Sequence, residues 1–93
     1  MRLKSHEVVA IKRVITQFDS DAAIYLYGSR VDDDKKGGDI DILVLSKNIS
    51  FLDKLKIKVT LYAELGEQKI DLLIAENASK PFVKMVFEEA MPL

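Results

Sequence analysis

The chain has 93 residues, of which 48% are hydrophobic and 31% are charged. This length and balance are typical of one folded domain with a modest core, which we place over residues 1–93, and they exclude a disordered segment. The 14 Lys and Arg residues against 15 Asp and Glu give a net charge of -1. Charge therefore does not support nucleic-acid binding. The absence of cysteine excludes disulfides and thiolate chemistry.

No apolar run in the sequence approaches the roughly 20 residues that a membrane-spanning helix needs. The first seven residues contain two basic side chains, Arg2 and Lys4, but the apolar core of a secretion signal does not follow them. We therefore expect no membrane association and a cytoplasmic location.

The first quarter of the chain predicts a helix and then a strand. Apolar side chains recur every three or four positions over residues 5–18, which is typical of an amphipathic helix. Ser5 can cap this helix, and Glu7 suits its first turn. The apolar run 22–27 that follows is short and favours a strand, which we expect to end at Gly28.

The middle of the chain predicts a loop, a buried strand and a long helix. Residues 30–38 are rich in charge and glycine, so they read as a loop with a helical turn near its start. Residues 39–45 are almost continuously aliphatic, which indicates a strand covered on both faces. Ser50 can cap a helix over 51–65, and Gly66 can end it.

Two apolar stripes run along the helix predicted over residues 51–65. At 100° per residue they lie on nearly opposite sides. One must cover the sheet, and the other needs either the terminal helix or a protein partner. The stripes consist of Leu52, Leu55, Val59 and Tyr62 on one side and Ile57, Leu61 and Leu65 on the other.

The last quarter predicts a third strand over residues 69–75 and a final helix that starts near Ser79 and Pro81 and extends to Met91. The complete order is α-β-β-α-β-α. This order predicts an α/β (α+β) fold in which helices flank a small mixed sheet. The tyrosines at positions 25, 27 and 62 are expected to fill packing positions.

A constellation of polar residues is set into these apolar strands. Gly28 and Ser29 end the first strand, and Asp39 and Asp41 begin the second. Because side chains alternate along a strand, the two acids point the same way, with Cα atoms roughly 6.6 Å apart. Asp71 interrupts the third strand with a further carboxylate.

Such a group of carboxylates would repel one another unless a cation neutralised them. Oxygen-only ligands suit Mg²⁺ or Mn²⁺, which also bind phosphates. Glycine at position 28 lets a ligand approach the backbone closely, and amides around the turn could hold phosphate oxygens. The residues therefore predict a metal and phosphate site. An Asp-x-Asp pair alone would more often cap a turn or face water.

The ordered pattern resembles the DNA polymerase beta-like nucleotidyltransferase superfamily, and most closely its minimal nucleotidyltransferases. The resemblance rests on a hydrophobic-Gly-Ser segment, the Asp-x-Asp strand and a later hydrophobic-Asp-hydrophobic strand, here Tyr27 to Asp41 and Ile70 to Leu72. It implies the nucleotidyltransferase fold, with ATP or another nucleoside triphosphate as substrate and Mg²⁺ or Mn²⁺ as cofactor.

The resemblance also implies roles for single residues. Gly28 and Ser29 would bind the triphosphate, and Arg30 is a candidate phosphate contact that could equally form a surface ion pair. The three acids would be catalytic and metal-binding, with the third helping to activate an acceptor hydroxyl. These acids are Asp39, Asp41 and Asp71. The charged run from Asp32 to Lys36 is expected to be a solvated loop.

Minimal nucleotidyltransferases resemble antitoxins that pair with a helical HEPN toxin, some of which they adenylylate. The resemblance therefore implies transfer of AMP to a hydroxyl of a HEPN-type partner, with homo-oligomers also expected. Two alternatives stay open. The chain could be a catalytically silent antitoxin that acts by occlusion, or a detached catalytic domain that acts on a small molecule or RNA.

Overall fold

The structure is a computed structural model that describes residues 3–31, 39–66 and 68–93. Residues 32–38, which hold most of the predicted charged loop, lie outside the described residues. The elements in chain order are α1 (Ser5–Thr16), β1 (Ala23–Tyr27), a 3₁₀ turn (Gly28–Val31), β2 (Ile40–Leu45), α2 (Phe51–Leu65), β3 (Ile70–Ala75), α3 (Pro81–Glu89) and β4 (Met91–Pro92).

The predicted fold class is confirmed, with one strand more than the sequence indicated. The last helix ends at Glu89 rather than continuing to Met91. Met91 and Pro92 instead pair with β1, and the Leu93 amide donates to the Ile24 carbonyl at 2.9 Å. Proline lacks an amide proton, so it is tolerated on this edge strand and would interrupt a central one.

The four strands form one sheet in the order β3-β2-β1-β4. β1 is antiparallel to β2 and to β4, whereas β2 and β3 are parallel. A parallel pair needs a crossover, and α2 supplies it. The prediction that β2 is covered on both faces is confirmed, because Leu43 and Val44 point to opposite faces and are both 0% exposed.

Helices α1 and α2 pack side by side on one face of the sheet. The core between them is aliphatic and almost fully excluded from water, and it consists of Ile11, Val14, Ile15, Ile24, Leu26, Ile40, Ile42, Val44, Ile57, Leu61, Ile70 and Leu72. Helix α3 packs against β1, where Tyr25 and Phe87 meet edge to face with ring centroids 5.1 Å apart. Tyr25 therefore has the predicted packing role.

Helix α2 has the bounds that the sequence predicted. The Ser50 hydroxyl accepts a hydrogen bond from the Asp53 amide at 3.1 Å, and Gly66 ends the helix at a φ of 84°. The stripe that contains Ile57 and Leu61 covers the sheet. The prediction that Tyr62 fills a packing position is wrong, because it lies on the opposite stripe and is 53% exposed.

No helix within the described ranges combines the length and the apolar character needed to cross a bilayer.

Candidate active site

Three polar residues form a row across adjacent strands of the sheet. Tyr27 on β1 is the pairing partner of Asp41 on β2, and Asp41 is in turn the partner of Asp71 on β3. Neighbouring strands lie about 4.8 Å apart, and side chains at paired positions share a face. The strand register therefore brings Asp41 and Asp71 side by side, although 29 residues separate them in the sequence.

The backbone at Gly28 lies directly against this row. Gly28 has a φ of 77°, which side chains disfavour. A Cβ placed on it would overlap a carboxylate oxygen of Asp41 and lie 3.2 Å from its Cγ. Only glycine lets the turn approach the carboxylate this closely. Ser29 and Arg30 continue the chain in the 3₁₀ turn, so the Gly-Ser turn and the Asp-x-Asp strand meet as the sequence predicted.

Asp39 immediately precedes β2 and is partly exposed. Its Oδ2 lies 3.7 Å from the Lys69 Nζ, in a pair whose side chains are 44% and 71% exposed respectively. An ion pair so accessible to water contributes little to stability. Asp39 therefore remains available to a ligand.

The carboxylates destabilise each other's charge. Burial raises the pKa of Asp41, and the charges of Asp71 and Asp39 raise it further, as does a hydrogen bond with the Asp71 side chain, while Lys69 opposes them. Two neighbouring carboxylates resist being ionised together. Because repulsion destabilises the ionised carboxylates, a cation bound beside them would stabilise the site.

Tyr27 belongs to the same site, although the sequence suggested only a packing role. Burial raises the pKa of Tyr27, and the charges of Asp41 and Asp71 raise it further. Its phenol thus stays protonated beside the carboxylates as a potential donor. The signal that could have found it is its position directly before Gly28, which places it opposite Asp41 once β1 and β2 pair.

Arg30 takes part in a second polar cluster. Its Nη2 donates to Gln68 Oε1 at 2.9 Å, and Gln68 Nε2 donates to Glu7 Oε2 at 2.7 Å. Glu7 is only 3% exposed, and its Oε1 accepts from the Lys4 amide at 2.8 Å. This chain of hydrogen bonds ties the 3₁₀ turn to α1 and to the segment before β3. The sequence predicted for Glu7 only a place in the first turn of α1, and it did not indicate Gln68.

The Glu7 carboxylate is stabilised as an anion. Burial acts to raise the pKa of Glu7, but the hydrogen bonds from Lys4 and Gln68 and the charge of Arg30 outweigh it and lower the pKa. The role of the predicted cap differs as well: Ser5 is the first helical residue, and Glu7 reaches back to the Lys4 amide. A buried acid with this many partners is a structural anchor.

The donor set fits a divalent cation. Asp41 and Asp71 present carboxylate oxygens at paired strand positions, Asp39 acts electrostatically on Asp41, and Mg²⁺ and Mn²⁺ prefer such ligands. In the side-chain positions of the described residues, no three acidic or imidazole groups converge tightly enough to enclose an ion. The chemistry of these acids therefore suits a divalent cation, whereas their side-chain positions in this structure do not enclose one.

A small mixed sheet with a glycine turn held against carboxylates on two parallel strands is the architecture of a nucleotidyltransferase. The sequence matches the family described as "Polymerase beta, Nucleotidyltransferase" over residues 10–93. The chain therefore belongs to this family, and the resemblance inferred from the motifs is confirmed. No curated protein is similar enough in sequence to match.

Solved structures with the same fold include two toxin-antitoxin complexes. A mutant of the MntA-HpeT toxin-antitoxin pair aligns with a TM-score of 0.70 at 22% identity, over 98% of this chain and 71% of the other. A complex of tri-AMPylated Shewanella oneidensis HEPN toxin with MNT antitoxin aligns with a TM-score of 0.63 at 21% identity, over 92% and 70%.

A protein classed as a minimal nucleotidyltransferase aligns over 99% of this chain and 98% of its own length, with a TM-score of 0.67 at 22% identity. At these identities the likeness establishes the fold. The chain is thus similar to MNT antitoxins that pair with HEPN toxins and to a minimal nucleotidyltransferase of comparable length.

Proposed function

We propose that this chain transfers AMP from ATP to a hydroxyl of a partner protein, as the antitoxin of a HEPN/MNT pair. The observation that carries the proposal is the contact between Gly28 and Asp41, with Asp71 beside Asp41 in the parallel register. This contact puts a turn suited to phosphate next to carboxylates suited to a cation. Family membership over residues 10–93 supports the same reaction class.

The site residues have distinct proposed roles. Gly28 and Ser29 bind the triphosphate through the turn, and Asp39, Asp41 and Asp71 hold Mg²⁺ or Mn²⁺. The cation, when bound, neutralises phosphate charge and favours ionisation of the attacking hydroxyl. The acceptor oxygen forms a bond to the α-phosphorus, the bond to the β-phosphate oxygen breaks, and pyrophosphate leaves. Asp71 takes the hydroxyl proton.

Arg30 was expected as a phosphate contact or as part of a surface ion pair. Its hydrogen bond to Gln68 supports a further role in holding the 3₁₀ turn at a fixed distance from β3. Its guanidinium carries a permanent positive charge, which attracts phosphate oxygens. We propose that Arg30 both anchors the turn and contributes positive charge near the triphosphate.

A HEPN-type partner is supported by the relatives of the fold. The similar Shewanella oneidensis antitoxin was solved with a HEPN toxin that carries three AMP groups, and the MntA-HpeT pair is likewise a toxin-antitoxin complex. We propose the same class of partner here. Because nucleoside triphosphates are abundant in the cytoplasm, the proposed reaction belongs in that compartment.

The test combines the chain with the HEPN-type protein encoded beside its gene, ATP and Mg²⁺, and measures the intact mass of both proteins. We expect the partner to gain one or more adenylyl groups. The Asp39→Asn plus Asp41→Asn variant should give no gain. A partner mass that stays unchanged with every nucleoside triphosphate would refute protein adenylylation.

A catalytically silent antitoxin is the second candidate. The observation that favours it is a large exposed apolar area on α2, where Val59 is 70% exposed and could bind a toxin without any reaction. The same double variant discriminates the two functions. If the partner stays neutralised by Asp39→Asn plus Asp41→Asn and no AMP is transferred by the unsubstituted chain, occlusion is the function.

A detached catalytic domain acting on a small molecule or RNA is the third possibility. It predicts that nucleotide is incorporated into such an acceptor without any partner protein. Labelled ATP supplied with total RNA, or with small hydroxyl compounds, would reveal the product.

A further inference from the structure

Helix α2 exposes a continuous apolar surface on the side away from the sheet. We call this surface the α2 apolar face. Each of its side chains is at least 44% exposed, although burial would stabilise it by about 25 cal/mol per Å². The face consists of Phe51 at 73%, Leu52 at 59%, Leu55 at 44%, Val59 at 70% and Tyr62 at 53% exposure. Its residues cannot pack on α3, because that helix packs on the other face of the sheet, against Tyr25.

Two shallow cavities lie beside this face and share Val59. One is about 270 Å³ and is lined by Lys58, Val59, Tyr62 and Ile70. The other is about 450 Å³ and is lined by Phe18, Leu55, Lys56, Val59 and Thr60. Ridges of side chains packing into such grooves are the usual contact between two helices. Val59 is thus a ridge with a groove on each side.

Each cavity has one lysine and no acid in its lining. Among the residues that the structure describes, neither Lys56 nor Lys58 forms an ion pair. The acids of α2 lie elsewhere: Asp53 accepts from the Ser50 amide at 3.1 Å, and Glu64 binds Arg13. The α2 apolar face therefore has a positive rim on both sides.

This charge pattern discriminates between possible occupants. In a second copy packed antiparallel across α2, the lysines near the middle of one helix would meet those of the other. Like charges at the rim of an interface oppose association. A helix with an apolar stripe flanked by Asp or Glu would instead place carboxylates beside Lys56 and Lys58. Side chains of that stripe would fill the two cavities.

We infer that the α2 apolar face docks an acidic amphipathic helix of the partner protein. This inference rests on the proposed function for the existence of a protein partner, and it adds where that partner binds. The face lies on the α1 and α2 side of the sheet, whereas Asp41 and Asp71 lie on the other. A partner held there leaves the nucleotide turn uncovered and must reach around the sheet with its acceptor hydroxyl.

The experiment measures the dissociation constant of the chain with the HEPN-type protein encoded beside its gene, by isothermal titration calorimetry. Val59→Glu places a carboxylate in the middle of the face, and we expect it to weaken binding by about 30-fold or more. Lys56→Glu plus Lys58→Glu should weaken it by about 10-fold and reduce its dependence on salt.

The matched control is Met85→Glu on α3, where Met85 is 60% exposed and also apolar. It should bind the partner within about twofold of the unsubstituted chain. The three variants change four positions, of which Lys58 is half-buried and the other three are exposed. A thermal shift with ATP and Mg²⁺ that equals that of the unsubstituted chain would show that each variant is folded with its nucleotide site intact.

Several outcomes would overturn the inference. Val59→Glu could bind the partner like the unsubstituted chain, Met85→Glu could lose as much affinity, or the unsubstituted chain could fail to form a complex. A dimer of this chain that Val59→Glu dissociates, or binding to anionic vesicles that the variant abolishes, would assign the face to another occupant.

The docking inference and the proposed function can fail separately. If the unsubstituted complex transfers AMP and Val59→Glu binds normally, the docking site is wrong and the function stands. If Val59→Glu breaks a complex in which no AMP is ever transferred, the docking site stands and the enzyme activity is refuted.

Discussion

Two carboxylates show how differently this small fold uses an acid. Glu7 is 3% exposed, yet hydrogen bonds from Lys4 and Gln68 and the charge of Arg30 hold its pKa low. Asp41 is more accessible, but burial and the charges of two other acids raise its pKa. The better buried acid is therefore the better stabilised one.

This difference separates a structural acid from a candidate functional one. A structural acid collects donors until its charge is satisfied, as Glu7 does. Asp41 instead has another carboxylate, Asp71, beside it on the neighbouring strand. Folding alone gives no reason to build that contact, because it costs stability. Neighbouring acids whose pKa is raised by each other's charge are typical of functional sites.

The largest effect on activity should come from removing one charge from the three neighbouring acids, Asp39, Asp41 and Asp71. We expect Asp41→Asn to lower the proposed AMP transfer by about 10³-fold, since one proposed ligand for the cation is lost. The free energy of unfolding without nucleotide should stay equal or rise by about 0.5 to 1 kcal/mol, because repulsion is relieved. Intact-mass kinetics and urea denaturation measure the two quantities. A clear loss of stability would contradict the interpretation of Asp41 as strained.

The contact between the turn and the carboxylate can be tested with two glycines. Gly28→Ala should destabilise the chain by about 2 to 3 kcal/mol, because it combines a positive φ with overlap of Asp41. Gly66 has φ 84° and ψ -157°, a backbone region that costs a side chain about 1 to 3 kcal/mol. No atom lies within 4 Å of the position that an added methyl group would occupy there, so Gly66→Ala measures the backbone cost without an overlap. A cost for Gly28→Ala no larger than that for Gly66→Ala in thermal or urea unfolding would argue against the close approach at Gly28.

Truncating the satisfied acid should affect stability rather than chemistry. Glu7→Ala removes the acceptor of the Lys4 amide and the nearer acceptor of the Gln68 side chain, and we expect it to lower the free energy of unfolding by about 2 kcal/mol. Glu7→Gln keeps one acceptor oxygen and should cost about half as much. Urea denaturation monitored by circular dichroism gives both values. If neither variant changed the free energy of unfolding, the contrast drawn between Glu7 and Asp41 would be wrong.

The smallest effect concerns pH. Because the folded pKa of Glu7 lies below its ordinary value of 4.5, its ionised form stabilises the fold. This contribution is fully present above the ordinary value and is lost as the pH falls through the folded pKa. The stability difference between the unsubstituted chain and Glu7→Gln should therefore stay constant at neutral pH and shrink under acid conditions. If this stability difference grew on acidification, the direction assigned to the pKa shift of Glu7 would be wrong.

Local signals in the sequence were sufficient for most of the fold. Helix α2 was predicted at its observed bounds because Ser50 and Gly66 mark its two ends by their own chemistry. Strand β4 was missed because Met91 and Pro92 become a strand only through pairing with β1. A two-residue strand has no periodicity of its own to detect.

The candidate site also combines residues that the local sequence indicates with residues that only the tertiary structure brings together. The three acids were predicted because carboxylates within apolar strands are unusual, and Gly28 was predicted because it ends the first of these strands. The contribution of Tyr27 depends on the register between β1 and β2, which the sequence does not specify by itself. Gln68 reaches Glu7 across 61 positions of sequence, so no local pattern could pair them.

The parallel pairing of β2 with β3 also governs how the site is made and lost. Asp41 and Asp71 become neighbours only after α2 has crossed the sheet and the two strands have aligned. Contacts between residues so distant in sequence form late and carry a large loop-closure cost. A subglobal opening that frees β3 would thus separate the carboxylates at once. Amide hydrogen exchange on β3 would therefore report how often Asp41 and Asp71 are apart.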